Sequence, residues 1–187
     1  MSILESSDKV IRTARLVLRP REGDDARIFT LFANWNVQRF LSSPPSPYKI
    51  EHARDFVQRC VGETETITAA ITRDDELVGT TDVVVKPASI VQRERGYSLG
   101  YWIGEPYWGH GYMTEAARAF VAHVFAGIPD DTIYSGAFAE NAASLRIQEK
   151  LGFTRDGEAM FFANPAGKEM PHVATSITRA RFAAANG

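Results

Sequence analysis

The sequence predicts an α+β fold, one domain built on a mixed central β-sheet with flanking helices. Two observations carry this. Segments of strand and helix pattern follow one another as β-α-α-β-β-β-α-β-α-β-β, which suits a mixed sheet. The chain has 187 residues, of which 44% are hydrophobic and 24% charged, enough for one domain with a sizeable core. The domain is expected to fill residues 1–187, with its core over about 13–180 and with frayed ends at the first eight residues and at Ala183 to Gly187.

Residues 14–20 alternate Leu16 and Leu18 against Arg15, Val17 and Arg19, the period of a half-buried strand, which Pro20 closes. Asp24 and Asp25 precede a helix from Ala26 to about Ala33, in which Ile28, Leu31 and Phe32 recur at helical spacing. Three prolines within Pro44–Pro47 demand a loop, and a second helix follows over about 50–61. Segments 65–73 and 76–86 are rich in Thr, Ile and Val, and Asp74-Asp75 joins them as a β-hairpin. Residues 97–104 form another strand. From Tyr112 to Ala126, Ala116, Phe120, Val121, Val124 and Phe125 line one face of the longest helix. A short strand at 132–138, a helix at about 142–150, and strands near 153–163 and 170–180 complete the pattern.

Composition excludes several classes of function. Twenty-one basic residues against 23 acidic ones give a net charge of −2, no footprint for nucleic acid or an anionic membrane as the main partner. The single cysteine, Cys60, rules out an internal disulfide and suits packing as a small apolar residue. His52, His110, His123 and His172 show no ligand spacing, so no metal site is expected. No basic-then-apolar leader and no apolar run of ~18 residues appear, and cytoplasmic residence is the expectation.

The stretch Tyr107-Trp108-Gly109-His110-Gly111-Tyr112-Met113-Thr114-Glu115 joins a strand to the long helix. Glycines here allow successive N–H groups to converge on a phosphate at the positive end of the helix. The same residues also suit a strand-to-helix turn without a ligand. A nucleotide P-loop needs Gly-Lys-Ser/Thr where Gly111-Tyr112-Met113 stands, and a dinucleotide fold needs a third glycine where Thr114 stands. Both readings fail.

Gly100-Tyr101-Trp102-Ile103, the glycine turn, Asn141-x-x-Ser144 and Glu149-Lys150-Leu151-Gly152-Phe153 together resemble the GNAT acetyltransferases, particularly their RimJ/RimL-type branch. Ala14 to Pro20 and the region of Trp35-Asn36 also look like that branch, and the resemblance covers about 13–180. It implies a GNAT-like domain whose sheet is splayed between strands 97–104 and 132–138, with acetyl-coenzyme A in the opening. It implies pyrophosphate binding by the main-chain amides of Trp108, Gly109, His110, Gly111, Tyr112 and Met113. The family's motif begins with Gln or Arg where Pro106 stands, so no side chain at that position reaches phosphate here.

The resemblance further implies that an N–H near Trp102 or Ile103 polarises the thioester carbonyl, by oxyanion-hole logic. Many members place a tyrosine acid where Gln148 aligns. In the branch resembled here the serine of Asn-x-x-Ser takes that part, which makes Ser144 the expected catalytic residue and Asn141 a ligand of the cofactor arm. Read without the family, Asn141 is an N-cap and Ser144 a first-turn residue. His110 is expected to be exposed, and Glu115 to compensate the helix dipole.

Family members often carry a glutamate base where Ser98 stands. Glu105, Asp82, Asp156, Glu158 or water are the remaining candidates. An α-amine of pKa ~8 is already about one part in ten neutral at pH 7, whereas a lysine at ~10.4 is neutral to less than one part in a thousand. A missing base therefore favours transfer from acetyl-CoA to a protein or peptide N-terminus. A small amine such as a polyamine, amino acid or aminoglycoside is the alternative acceptor, and a non-catalytic acyl-CoA sensor the alternative class. The loop 42–47 and the stretch Trp35–Phe40 are expected to border the acceptor site. A homodimer is compatible with the resemblance.

Overall fold

The computed structural model describes residues 10–20, 23–60, 66–87 and 95–187, with the side chains of residues 59–60 and 86–87 outside that description. The expectations for residues 1–8 and for the packing of Cys60 fall outside the described residues.

Eight strands form one sheet: β1 (Ile11–Arg12), β2 (Val17–Arg19), β3 (Thr66–Arg73), β4 (Glu76–Pro87), β5 (Arg95–Ile103), β6 (Thr132–Phe138), β7 (Thr154–Ala163) and β8 (Lys168–Thr178). Their order is β1-β2-β3-β4-β5-β6-β8-β7. All neighbours pair antiparallel except β5 and β6, which are parallel and meet only at Tyr97↔Ile133 and Ser98↔Tyr134. Beyond Ser98 the two strands part, so the sheet is mixed and splayed at its middle. The β3–β4 hairpin turns at Asp74 and Asp75 with φ of 51° and 64°, the positive values of a two-residue hairpin turn that aspartate tolerates.

The described helices are α1 (Asp25–Phe32), α2 (Trp35–Gln38), α3 (Ile50–Cys60), α4 (Tyr112–Gly127), α5 (Ala142–Leu151) and α6 (Arg179–Asn186). Leu16, Leu18 and the expected stripe of α4 are buried, and α4 packs with Ile67, Ile71, Val83 and Leu99 into the larger core. Phe120, Val121 and Val124, each at most 1% exposed, contribute about 1.5–3 kcal/mol apiece by leaving water. On the opposite face Ile28, Leu31 and Ala53 of α1 and α3 pack over Ala70 and Leu77, with Trp102 against them.

The carboxyl end differs from expectation. Residues Arg179–Asn186 form a docked helix and are not frayed. Thr178 Oγ1 accepts the Arg181 N–H, Phe182 packs on Phe125, and Asn186 Nδ2 donates to the Leu151 carbonyl at 2.9 Å. Arg179 ties its start to the Ile128 and Asp130 carbonyls at 3.0 Å each. Strand β1 and the short α2 are additions; Asn34 caps α2 by accepting the Asn36 N–H at 2.8 Å.

Candidate active site

The glycine turn begins where β5 ends. Glu105–Tyr107, with Pro106 inside, make one 3-10 turn. The Trp108 indole donates to the Ile103 carbonyl at 2.8 Å and pins the turn to the strand. Gly109 and Gly111 have φ of +78° and +77°, which side chains other than glycine rarely adopt, and a Cβ at Gly109 would meet open space. Gly111 is the N-cap of α4. Tyr112 and Met113 send their side chains into the core, while their N–H groups belong to the first helical turn. The turn therefore sets the amides of Gly109 to Met113 at the positive end of a helix, where an anion is favoured. The Trp108 N–H is a correction, since it donates to the Glu105 carbonyl at 3.1 Å. His110 is exposed; its ring stacks on Tyr112 at 5.4 Å, with Nδ1 2.7 Å from the Trp108 carbonyl oxygen.

Glu115 does more than face the helix dipole. It accepts the Thr13 hydroxyl at 2.6 Å and the Arg15 N–H at 2.9 Å, and pairs with the Arg15 guanidinium at 2.7 Å. Arg15 in turn donates to the His110 carbonyl at 2.9 Å and lies over the Tyr112 ring. Desolvation pushes the Glu115 carboxyl up, but the hydrogen bonds from Thr13 and Arg15 and the Arg15 charge outweigh it and hold the group below its usual range.

A cavity of about 1070 Å³ opens at the splay. Side chains of β4 and β5 divide it by face. Registered pairs share a face, so Thr68, Asp82 and Gly100 look toward α1 and α3. Tyr101 and Ile103 look toward α4 and α5, where they join the larger core. The gap in the sheet connects the two sides.

Main-chain direction alternates along β5 as well. The Leu99 carbonyl accepts the Ser135 hydroxyl of β6 at 3.1 Å, whereas the Gly100 carbonyl accepts Thr81 Oγ1 of β4. By that alternation the N–H groups of Tyr101 and Ile103 face the opening. Trp102 is a correction: its carbonyl lies against Gly79 of β4, so its N–H belongs to the β4 ladder and cannot polarise a carbonyl in the gap. Its indole lines the cavity instead, edge-on to Phe32 at 5.1 Å.

Asn141 and Ser144 both line the cavity. Asn141 Oδ1 accepts the Ser144 N–H at 3.1 Å, so it caps α5 and at the same time fixes the turn that carries the serine. Ser144 Oγ is 2.9 Å from the Tyr101 phenol oxygen. Burial pushes the Tyr101 phenol up, and hydrogen bonds with Ser144 and Gln148 only partly offset it. The contact between Tyr101 and Ser144 has no signature in the sequence because 43 residues separate them.

Of the four carboxylates expected as bases, Asp82 alone lines the cavity. Glu105 instead accepts the side-chain amides of Asn34 and Asn36, tying the glycine turn to α2. Asp156 accepts the Ser176 hydroxyl on the far edge of the sheet, and Glu158 is exposed on the same edge strand. Of the stretches expected at an acceptor site, Phe40 and Ser42 to Pro45 line the cavity, with Leu41 between them, whereas residues 35–39, Ser46 and Pro47 do not, and Trp35 points into solvent. The β7–β8 turn holds this loop, since Asn164 donates to the Ser42 and Ser43 carbonyls at 2.9 and 3.2 Å. Among the described residues no three His, Cys, Asp or Glu side chains gather as a metal set, and no helix is long and apolar enough to cross a membrane.

Residues 15–154 match the model of the acetyltransferase (GNAT) domain. The chain belongs to the GNAT acetyltransferases. This GNAT chain is 30% identical over 154 residues to the Bacillus subtilis protein named "Uncharacterized N-acetyltransferase YoaA", covering 79% of this chain and 84% of that one. Its fold is that of the ribosomal L7/L12 α-N-protein acetyltransferase RimL in complex with coenzyme A, at a TM-score of 0.75 and 19% identity, covering 91% of this chain and 98% of that one. The Vibrio cholerae spermidine N-acetyltransferase in complex with CoA and spermine superimposes equally well, at a TM-score of 0.75 and 18% identity, covering 91% of this chain and 99% of that one.

Proposed function

We propose that this acetyltransferase moves the acetyl group of acetyl-CoA to the α-amine at a protein or peptide N-terminus, by direct attack of the neutral amine. The observation that carries the reading is the division of the cavity by face: Asp82 looks toward α1 and α3, and Ser144 stands on the α5 side of the same gap. An amine entering under the proline-rich loop meets a carboxylate, and a thiol departing on the other side meets a hydroxyl. Asp82 accepts the amine proton, a free N–H of Tyr101 or Ile103 steadies the oxyanion, and Ser144 returns a proton to sulfur. The main-chain amides of Gly109, His110, Gly111, Tyr112 and Met113 hold the pyrophosphate, without Trp108, whose N–H is given to the Glu105 carbonyl at 3.1 Å.

The acceptor class is read from the walls. Asp55 and Asp82 are the only acidic side chains lining the cavity among the described residues, and Phe32, Phe40, Tyr48 and Phe56 supply much of its α1/α3 side. The aromatic wall supports a largely uncharged body behind the reacting ammonium, while Asp55 and Asp82, with no lysine or arginine lining the cavity among the described residues, suit a polyamine as well. RimL, which shares the fold, is named for an α-N-protein substrate, and this agrees with the α-amine; the Vibrio cholerae enzyme is named for spermidine, the competing class.

Thiol release from acetyl-CoA, followed with free peptides, N-terminally blocked lysine peptides and polyamines, tests this. Free N-termini are expected to give the highest kcat/KM. A higher value for polyamines overturns the acceptor assignment, and tight CoA binding with no turnover on any amine favours an acyl-CoA sensor. Ser144→Ala is expected to lower kcat while keeping CoA affinity.

A further inference from the structure

Tyr101 projects from β5 onto the α4/α5 side, and its phenol oxygen meets Ser144 Oγ at 2.9 Å. Gln148, one helical turn beyond Ser144 and 1% exposed, lies against the same pair. Its Nε2 donates to the Gly136 carbonyl at 3.2 Å and reaches Ser144 Oγ at 3.4 Å and the Tyr101 oxygen at 3.5 Å. The amide is oriented from both ends. Oε1 accepts the Thr175 hydroxyl at 2.8 Å, and a flipped amide would set two carbonyl oxygens against each other at Gly136. The phenol hydrogen has two acceptors on Ser144, Oγ at 2.9 Å and the main-chain carbonyl at 3.2 Å, and the relay uses the arrangement in which the phenol donates to Oγ. The Ser144 hydrogen is then left to point into the cavity.

We propose that Tyr101 is the proton source behind Ser144, a positioning and relay residue that makes the serine able to protonate the departing thiol, with Gln148 holding the pair in register. This deepens the role proposed for Ser144 and rests on it. A lone serine that protonates a thiolate becomes an alkoxide, a far stronger base than the thiolate it served. Coupled to Tyr101, it never carries that charge. Collapse of the tetrahedral adduct breaks the C–S bond and leaves its electron pair on sulfur. Sulfur takes the Ser144 proton, and Ser144 Oγ takes the phenol proton along the 2.9 Å hydrogen bond. The resulting phenolate, facing the Gln148 N–H, regains a proton from water in the cavity, and the proton lost by the amine leaves through Asp82 to water. A phenol ordinarily titrates near 10 and a thiol near 8.5, so at ordinary values this exchange opposes the reaction about thirtyfold in equilibrium, and burial of the phenol adds to that cost. Burial, which raises the phenol, keeps its proton in place at neutral pH.

The experiment is steady-state kinetics of Tyr101→Phe, Ser144→Ala and the double variant, with an acceptor slow enough for chemistry to limit turnover. Tyr101→Phe is expected to lower kcat about 10- to 100-fold, with KM for acetyl-CoA changed less than about twofold. The double variant should lose no more than Ser144→Ala alone, because the two act as one unit. Rates in mixtures of light and heavy water should bow with two protons in flight in the wild type and become linear in Tyr101→Phe, a change that a packing role would not produce. Wild-type kcat in Tyr101→Phe, or losses that multiply in the double variant, overturn the relay while leaving the role of Ser144 standing. Full activity of Ser144→Ala overturns both. Should Tyr101→Phe fail to fold, Gln148→Met removes the donor that orients the phenol, and an unchanged kcat there also overturns the relay.

Discussion

Replacing Asp82 by asparagine removes a proton acceptor while preserving shape, and the expected loss depends on which amine the enzyme serves. Asp82 stands in register with Gly100 on the α1/α3 side of the sheet. The missing side chain at Gly100 makes room for it: a Cβ there would lie 2.8 Å from Asp82 Oδ1. A positioned base contributes about 10²–10⁴ in rate. For an α-amine of pKa ~8, about a tenth is already neutral at pH 7, so water covers part of the task and Asp82→Asn should lower kcat/KM at the low end, about 100-fold. Raising the pH to 9 takes the neutral fraction from about 0.09 to about 0.9, so the variant should recover roughly tenfold and then plateau. An amine of pKa ~10.4 would instead go from about 0.0004 to about 0.04 neutral, roughly a hundredfold recovery with no plateau by pH 9. Thiol-release assays of Asp82→Asn between pH 6.5 and 9.5 therefore read both the base and the acceptor class from one curve. Gly100→Ala, which displaces the carboxylate without removing it, should show a smaller loss. Wild-type kcat/KM at pH 7 in Asp82→Asn would refute the assignment, and a slope of one continuing past pH 9 would refute the α-amine.

Two further outcomes follow from the glycine turn and its support. Gly109→Ala meets no neighbour but is strained by roughly 1 kcal/mol at a φ of +78°; if the free turn relaxes to escape it, calorimetry should show CoA binding weakened about fivefold with the thermal midpoint little changed, and if it does not, the midpoint falls and binding is kept. Glu115 has a carboxyl held below its usual value in the folded state, so its contribution to stability is complete above the unfolded value of about 4.3 and disappears as pH falls through the folded value. Chemical denaturation should therefore find the wild type more stable than Glu115→Gln at pH 7 and the difference gone near pH 3; a difference that grows in acid would contradict the Arg15 pair as its cause.

What the sequence discloses, and what it hides, follows from the range of the interactions involved. The buried stripe of α4 and the Asp74-Asp75 turn are written within a few residues, by helical period and by turn chemistry, and both are where the pattern put them. The docking of α6 is not local: its alanine-rich segment reads as a loose end until Phe125, Leu151 and Gly152 supply a surface for it. The site is hidden more deeply, because strand register and face decide which of several carboxylates meets the cavity. Ser98 and Gln148 stand where the family resemblance leads one to expect a base and a tyrosine acid, and on the sequence alone the site looks stripped. In the sheet, Ser98 lies opposite Val84, two residues from Asp82, and Gln148 lies beside the Tyr101 phenol. In the proposed mechanism each missing group is replaced from an adjoining element. A chain can make such an exchange without altering its fold, since a splayed sheet brings β4, β5 and α5 to one cavity and the chemistry needs only the position of a polar atom, whichever backbone delivers it.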